Sequence, residues 1–335
     1  MRLSDAIEAY RLRLKRRGLL WRAFRSRRRL TTVQDRTASI RPDMVLCFGT
    51  VRNEGLRLPH FLEHHRRLGV GHFLFVDNGS DDGSAEMLAG QADVSLWSTK
   101  DSYKASRFGL DWVNWLLRRY GSGFWCLTLD ADELLIYPQW QSRNLSDLTG
   151  WLDAQGAACM ATMMLELYPK GKLSQAVWLD DPVAALPWFD ASGYDHTKID
   201  RFGHVSIRGG VRRRVFFADQ PDHAPHLHKT PLIRWKPGYA YLSSTHIALP
   251  RALNGGFQRA DLPTGVLLHT KFLPNILAKS QEEKQRGQHF THVERYDDYY
   301  DSIIADPDLW DAQSVRYEGW QQLEALGLMS RGRWA

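Results

Sequence analysis

The sequence predicts an α/β fold: a mostly parallel sheet flanked by helices, preceded by a basic helical arm and closed by C-terminal helices. Three observations carry this expectation. From residue 44 onward, short apolar runs alternate with amphipathic stretches of helical period, which is the punctuation of strand–helix–strand units. A chain of 335 residues, 43% hydrophobic and 12% aromatic, can bury a large core. Residues 1–30 hold 11 Lys/Arg against two acids, a local charge of +9, while the rest of the chain is 33 against 36, or −3. The expected organisation is an arm and linker over 1–43, a first α/β half over 44–150, a second half of the same domain over 151–290, and C-terminal helices over 291–335.

Within the arm, Leu3, Ile7, Tyr10 and Leu14 recur at helical spacing, and Leu20, Trp21 and Phe24 follow Gly18. An amphipathic basic helix is expected. It could adhere to an anionic membrane surface, or pack on the domain as a solvated helix or tail. Thr31 to Asp43, with Pro42, reads as a linker. Met44 to Thr50 is the first expected strand, and Leu58 to Leu68 a helix with Pro59 in its first turn and Gly69 beyond its end. His72 to Asp77 and Val94 to Trp97 are further strands, separated by a short helix over Ser84 to Ala89. Arg107 to Tyr120 reads as a longer helix carrying Phe108, Trp112, Trp115 and Leu116, and Trp125 to Asp130 as the fourth strand. Repeated strand–helix–strand order forces right-handed crossovers and parallel pairing, which places ligands at the C-terminal edge of the sheet. Ala157 to Leu167 is another strand. A long irregular section follows, rich in Trp, Asp, Gly and Pro, as binding loops often are. Leu267 to Phe272 then leads into a helix from about Asn275 to Gln288, and scaffold helices near Asp298 to Ile304 and Tyr317 to Leu326 close the chain.

Several function classes are disfavoured. No run approaches the roughly 18 apolar residues that span a bilayer, and the N-terminus lacks an apolar signal core, so the expected location is cytoplasmic, with the arm allowing a peripheral place on the inner face of the membrane. Cys47, Cys126 and Cys159 are widely spaced in apolar surroundings and read as reduced core residues. A nucleic-acid partner is not expected, because the basic charge lies outside the folded body. The turn Gly49-Thr50-Val51-Arg52-Asn53-Glu54-Gly55 lacks G-x-G-x-x-G, and no Walker A sequence occurs. An EF-hand alignment starting at Asn78 would put Ala89 where a bidentate Glu is required.

Polar groups gather instead on the predicted edge. Arg52, Asn53 and Glu54 follow the first strand, Asp77 and Asn78 the second, and the fourth runs Cys126-Leu127-Thr128-Leu129 into Asp130-Ala131-Asp132-Glu133. Two carboxylates at D-x-D spacing can face one hard cation, and a cation beside a ribose-binding carboxylate such as Asp77 suits a nucleotide diphosphate. An isolated D-x-D would otherwise read as a solvated acidic turn. Lys104 and Arg107, just before the long helix, can offer charge-assisted bonds to phosphate oxygens, or serve as ordinary surface cations. His223, His226 and His228 in H-A-P-H-L-H invite a zinc reading, but no acidic or cysteine partner has convincing spacing, and Pro225 points to an exposed loop.

The runs Val51-Arg52-Asn53-Glu54, His65-Arg66-Arg67-Leu68-Gly69-Val70, Val76-Asp77-Asn78-Gly79-Ser80-Asp81-Asp82-Gly83-Ser84 and Leu129-Asp130-Ala131-Asp132-Glu133 together resemble the family 2-like glycosyltransferases of the GT-A fold. The likeness is to a bacterial subgroup with R-N-E, L-G-V, D-N-x-S-x-D-G and D-x-D-E in that order, and covers roughly residues 44 to 136. It implies a GT-A-like, Rossmann-type sheet and a nucleotide-sugar donor, with UDP-sugars favoured. It also implies Mn²⁺ or Mg²⁺ held by Asp130 and Asp132, and donor contacts from Asp77, Arg52, Asn53 and Glu54. Residues 44–150 would bind the donor and 151–290 the acceptor, a hydroxyl of a glycan, lipid or protein. The block from Lys229 to Pro250, with His246, is similar to a segment that returns to the active site. In Leu267-Leu268-His269-Thr270-Lys271-Phe272, the resemblance implies His269 as a third metal ligand and Lys271 as a phosphate contact. It also implies inversion at the sugar, which requires a carboxylate base. No clear downstream acidic motif supplies one. Glu166 is the first choice and Asp195 the second, with Glu133 as an acceptor contact, base or positioning group. A nucleotidyltransferase or a non-catalytic nucleotide- or membrane-binding module are the alternatives, the first weakened by the lack of a Gly-rich basic triphosphate loop.

Overall fold

Alternate residues of the central strands part into two cores. Val45, Cys47, Phe73 and Phe75 join one apolar cluster, and Leu46, Phe48, Leu74 and Val76 the other, as a period of two requires of a sheet buried on both faces. The helix after the first strand supplies Leu58, Phe61 and Leu62 to one cluster, while the long helix supplies Trp112, Val113, Leu116 and Leu117 to the other. The protein is therefore a mixed α/β body with helices on both faces of a central sheet.

The computed structural model describes residues 3–286 and 293–334. In the first half the elements are α1 (Leu3–Ser26), β1 (Thr31–Gln34), β2 (Val45–Val51), α2 (Leu58–Arg67), β3 (Val70–Asp77), α3 (Ser84–Ala89), β4 (Val94–Ser98), α4 (Leu110–Tyr120), β5 (Trp125–Thr128), β6 (Glu133–Ile136) and α5 (Leu145–Ala154). The second half adds β7 (Cys159–Glu166), α6 (Pro182–Ala185), β8 (Trp188–Asp190), β9 (Asp195–Ile199), β10 (His204–Arg208), β11 (His228–Arg234), β12 (Ala240–Ser243) and β13 (Ile247–Leu249). It ends with β14 (Gly265–His269), α7 (Ile276–Arg286), α8 (Val293–Ile304), β15 (Ser314–Arg316) and α9 (Trp320–Ala325). Residues 287 and 288, at the end of the helix expected from Asn275, lie outside the described residues, as does the expected boundary at 290/291.

Nine of these strands form one sheet in the order β1-β4-β3-β2-β5-β11-β7-β14-β6. β4, β3, β2 and β5 pair in parallel, and so do β7 and β14. β11 runs antiparallel between β5 and β7, which keeps β7 and β14 in the same sense as the first four. β1 and β6 are antiparallel edges. The sheet is thus mostly parallel, as expected, and its strands end on a shared C-terminal edge.

Two local expectations are corrected. The linker contains β1, an exposed strand that satisfies the outer backbone groups of β4, a need the polar sequence Thr31-Thr32-Val33-Gln34 does not advertise. The long helix starts at Leu110, because Arg107, Phe108 and Gly109 all adopt left-handed φ values of 60°, 59° and 76°. At Gly109 a Cβ would also fall 2.6 Å from the Thr50 hydroxyl, so chain and strand meet there at a distance only glycine permits. The helix of the arm runs unbroken through Gly18, and it packs on α4 and β12 through Leu12, Leu19 and Ala23, leaving the Ile7, Tyr10 and Leu14 series outward. All three cysteines are buried and free, in line with the sequence reading.

Candidate functional site

A cavity of about 1030 Å³ opens at the C-terminal edge of the sheet, a size suited to a nucleotide-sized ligand. Its walls come from the loop after β2, the acidic turn between β5 and β6, the turn before α4, the start of β11, the loop after β12, the end of β14, and α7. Strand register explains the convergence. His269 ends β14 opposite Glu166 on parallel β7 and opposite Glu133 on antiparallel β6. β11 enters in the reverse sense, so its first residues, His228 and Lys229, also come to this end.

The first wall is built by two loops that hold each other. The Asp77 carboxylate accepts bonds from the Gly79 and Ser80 amides at 3.0 and 3.1 Å and from the Ser80 hydroxyl. The Asn53 amide donates to the Ser80 hydroxyl at 3.0 Å, and the Asn53 side-chain oxygen accepts from the Asp81 amide at 3.0 Å. Arg52 donates to the carbonyls of Asn78 and Gly79 at 2.8 and 2.7 Å. Arg52, Asn53, Glu54 and Asn78 line the cavity, whereas Asp77 is 3% exposed and turned into its own loop. Asp77 is therefore a loop organiser here and not a wall residue. Its geometry is an Asx turn, which the sequence D-N-G-S already permits. Glu54 is held between Arg57 at 2.9 Å and Lys279 at 2.7 Å.

The acidic turn divides its labour. Glu133, with 1% of its side chain exposed, forms a buried ion pair with Lys229 and accepts a bond from the Asp130 amide at 3.2 Å. Burial pushes the Glu133 carboxyl upward, with Asp130 and Asp132 adding to the rise and Lys229 opposing it. Lys229 is opposed by burial, yet the Asp130 and Glu133 charges hold its proton more firmly than usual. Asp130 is half exposed and lies 3.1 Å from Lys229. Asp132 accepts from His269 Nε2 at 3.1 Å. Burial would raise its carboxyl, but the charge and hydrogen bond of His269, with Arg57 and Lys271 beyond, hold it well below the usual carboxylate range. His269 is raised in turn, because Asp132 outweighs burial.

Glu166 stands behind His269, 3.7 Å from its Nδ1, and forms a buried ion pair with Arg212. Burial raises its carboxyl, but Arg212 and His269 more than offset this and keep it ionised. It does not line the cavity, so the sequence choice of Glu166 as base is corrected: a carboxylate committed to two buried partners orients His269 and has no access to a substrate hydroxyl. Asp195 is also displaced. It sits on exposed β9, paired with Arg213, and lines not the main cavity but a neighbouring one of about 460 Å³ that shares Arg208, Asp222 and His226 with it.

Lys104, Arg107, His246 and Lys271 all reach the main cavity. Arg107 donates to the Leu242 carbonyl and lies 3.6 Å from Asp111. Burial and the Arg212 charge lower Lys271 to about 8, against the pull of Asp132 and Glu166. His246 donates from Nδ1 to the His228 carbonyl at 2.6 Å, and its ring joins those of His226 and His228. The H-A-P-H-L-H segment is thus a largely buried wall and not an exposed loop, since His228 opens a core strand despite Pro225.

Oxygen and imidazole donors suit Mn²⁺ or Mg²⁺, and Asp130, Asp132 and His269 offer both. Among the described residues, no three such side chains close on one point as they stand; Asp132 and His269 face each other, and Asp130 would turn from Lys229 to join them. The sequence reading missed Arg57, Arg212 and, as a site residue, Lys229. A lysine opening the apolar run Lys229-Thr230-Pro231-Leu232-Ile233 was the available signal, since a charge in a core strand needs a partner. Tyr300 on α8 also lines the cavity, so that closing helix is more than the scaffold expected of it. No protein-family model matches the chain, and no curated protein matches it.

Proposed function

We propose that the chain is a metal-dependent glycosyltransferase with a GT-A-type body, moving a sugar from a nucleotide diphosphate sugar, UDP-sugars first, to a hydroxyl of a glycan, lipid or protein. One observation carries the reading: a single cavity at the C-terminal edge of the sheet bears the D-x-D acids together with Lys104, Arg107 and Lys271. A departing diphosphate needs both, acids for a bridging cation and cations for its remaining oxygens. The four ordered motifs of the first half support the same reading.

Mn²⁺ or Mg²⁺ would be held by Asp130, Asp132 and His269, and when bound neutralises diphosphate charge. Glu166 and Arg212 hold His269 in place from behind, and Glu133 with Lys229 fixes the backbone of the acidic turn. In the transfer, the bond from the anomeric carbon to the diphosphate oxygen breaks and the acceptor oxygen bonds to that carbon, while its proton passes to a carboxylate. With Glu166 committed elsewhere, Asp222 takes this role in our reading: it lines the cavity, and its side chain is 99% exposed, 3.8 Å from Arg208.

The test is nucleoside diphosphate release from a panel of nucleotide sugars in the presence of Mn²⁺. The reading requires release from one base-selective donor that EDTA stops and that Asp222→Asn slows by about 10²-fold or more. Release from none of them, with no nucleotide bound, would contradict it.

A further inference from the structure

We propose that the outer face of α1 is a docking surface for an anionic phospholipid bilayer. The helix is two-faced. Leu12, Leu19 and Ala23 are buried against the body, where Arg22 meets the Asp111 carboxylate at 2.7 Å and the Ser26 hydroxyl donates to the Asp111 carbonyl at 3.0 Å. The opposite face carries Ile7, Tyr10, Leu14 and Trp21, which are 45%, 60%, 46% and 59% exposed. At 3.6 residues per turn these four fall within an arc of about 60°. Single exposed apolar side chains are ordinary, but four on one face of a helix, two of them amphipathic aromatics, mark an interaction face.

Charge selects the partner. Arg11, Arg13, Lys15, Arg17 and Arg25 are exposed around the stripe and make no ion pair among the described residues. A nucleic acid would engage the cations but leave Leu14 and Trp21 in water, and an apolar protein groove would leave the cations without counter-charges. A bilayer with acidic headgroups satisfies both, with the apolar stripe entering the headgroup–acyl boundary and the cations meeting phosphates. Among the described residues no helix is long and apolar enough to cross a membrane, so α1 would lie in the plane of the surface.

The docking has a geometric consequence. Beneath α1, Leu12 and Leu19 pack with Leu242 and Phe202, which line the main and second cavities respectively. With a helix about 10 Å across between lipid and body, both cavities would be held close to the membrane surface.

The test is co-sedimentation of the full chain with phosphatidylcholine vesicles, with and without phosphatidylserine. Binding should favour the phosphatidylserine vesicles by about tenfold or more, and should fall as salt rises from ~0.1 to ~1 M and the Debye length shrinks from ~10 to ~3 Å. Leu14→Gln with Trp21→Gln, and separately Arg11→Glu with Arg17→Glu, should each lower binding about tenfold with an unchanged melting temperature, since all four positions are exposed. Equal binding to pure phosphatidylcholine, or indifference to both pairs of changes, overturns the proposal. So does duplex DNA that binds independently of Leu14 and Trp21. None of these outcomes bears on the nucleotide site.

Discussion

The two halves of the central sheet bury different things. In β4-β3-β2-β5 the interior is almost wholly apolar, and the polar loops at the edge are satisfied by near neighbours, as Asp77 is by Gly79 and Ser80. In β11-β7-β14-β6 the interior edge holds Lys229, Glu133, Glu166 and His269, with Arg212 beside them, paired across distant strands with one another and with Asp130 and Asp132. The first half is a platform that hydrophobic burial stabilises whatever the ligand does. The second half is a charge network whose members depend on partners far away in sequence, and it is there that the candidate ligands are oriented.

That contrast can be broken by mutation. Lys229→Met leaves Glu133 buried without its counter-charge and should cost about 3–5 kcal/mol in urea denaturation, while adding Glu133→Leu should recover most of the loss. In the parallel half, Leu74→Ala should cost about 2–5 kcal/mol by cavity formation, with no second-site rescue by removing a charge. If Lys229→Met cost under about 1 kcal/mol, the two halves would not differ in kind.

Acid should act on both halves, since burial lowers His64 and His65 on α2 as well as the histidines of the second half. Burial holds His226 at about 4 and His246 at about 3, and pushes His228 lower still. These are bases depressed in the folded state, so their neutral forms favour the fold. Stability is full above about pH 6.5 and is lost as the unfolded chain takes up protons below it, at up to ~1.4 kcal/mol per pH unit for each group. Asp132 and Glu166, depressed acids, add a further loss at lower pH. Thermal melting between pH 7 and pH 4 should therefore fall by several degrees before carboxylates titrate; a flat profile down to about pH 5 would contradict the burial of these rings.

The smallest effects sharpen the assignment of individual acids. Asp77→Asn, which weakens an Asx turn, should cost about 1 kcal/mol of stability. Asp195→Ala, on an exposed strand and not lining the main cavity, should change nucleotide affinity less than about twofold. A larger change at Asp195 would return it to the site.

What the sequence made legible follows the same division. Apolar runs and helix signals such as Pro59 and Gly69 placed β2, α2, β3, α3 and β5 within a residue or two, because burial of apolar side chains has a local period. The cavity edge was legible where polar residues followed such runs, at Arg52, Asn53, Glu54, Asp130, Asp132 and His269. Edge strand β1 was not, since its role is to meet backbone groups of β4. Nor were the commitments of Glu166 to Arg212 and of Glu133 to Lys229, which span 46 and 96 residues and leave no trace in periodicity. The turn at Arg107–Gly109 was masked by the apolar pattern continuing through Phe108.

The most direct measurement of the central claim is calorimetric titration of UDP into the wild-type protein and into Asp132→Asn, first with Mn²⁺ and then with EDTA. The account predicts Mn²⁺-dependent binding to the wild type that EDTA abolishes and that Asp132→Asn weakens about 10–100-fold. Binding that is identical with EDTA and in the variant would contradict it, as would no binding of any nucleoside diphosphate by the folded wild type.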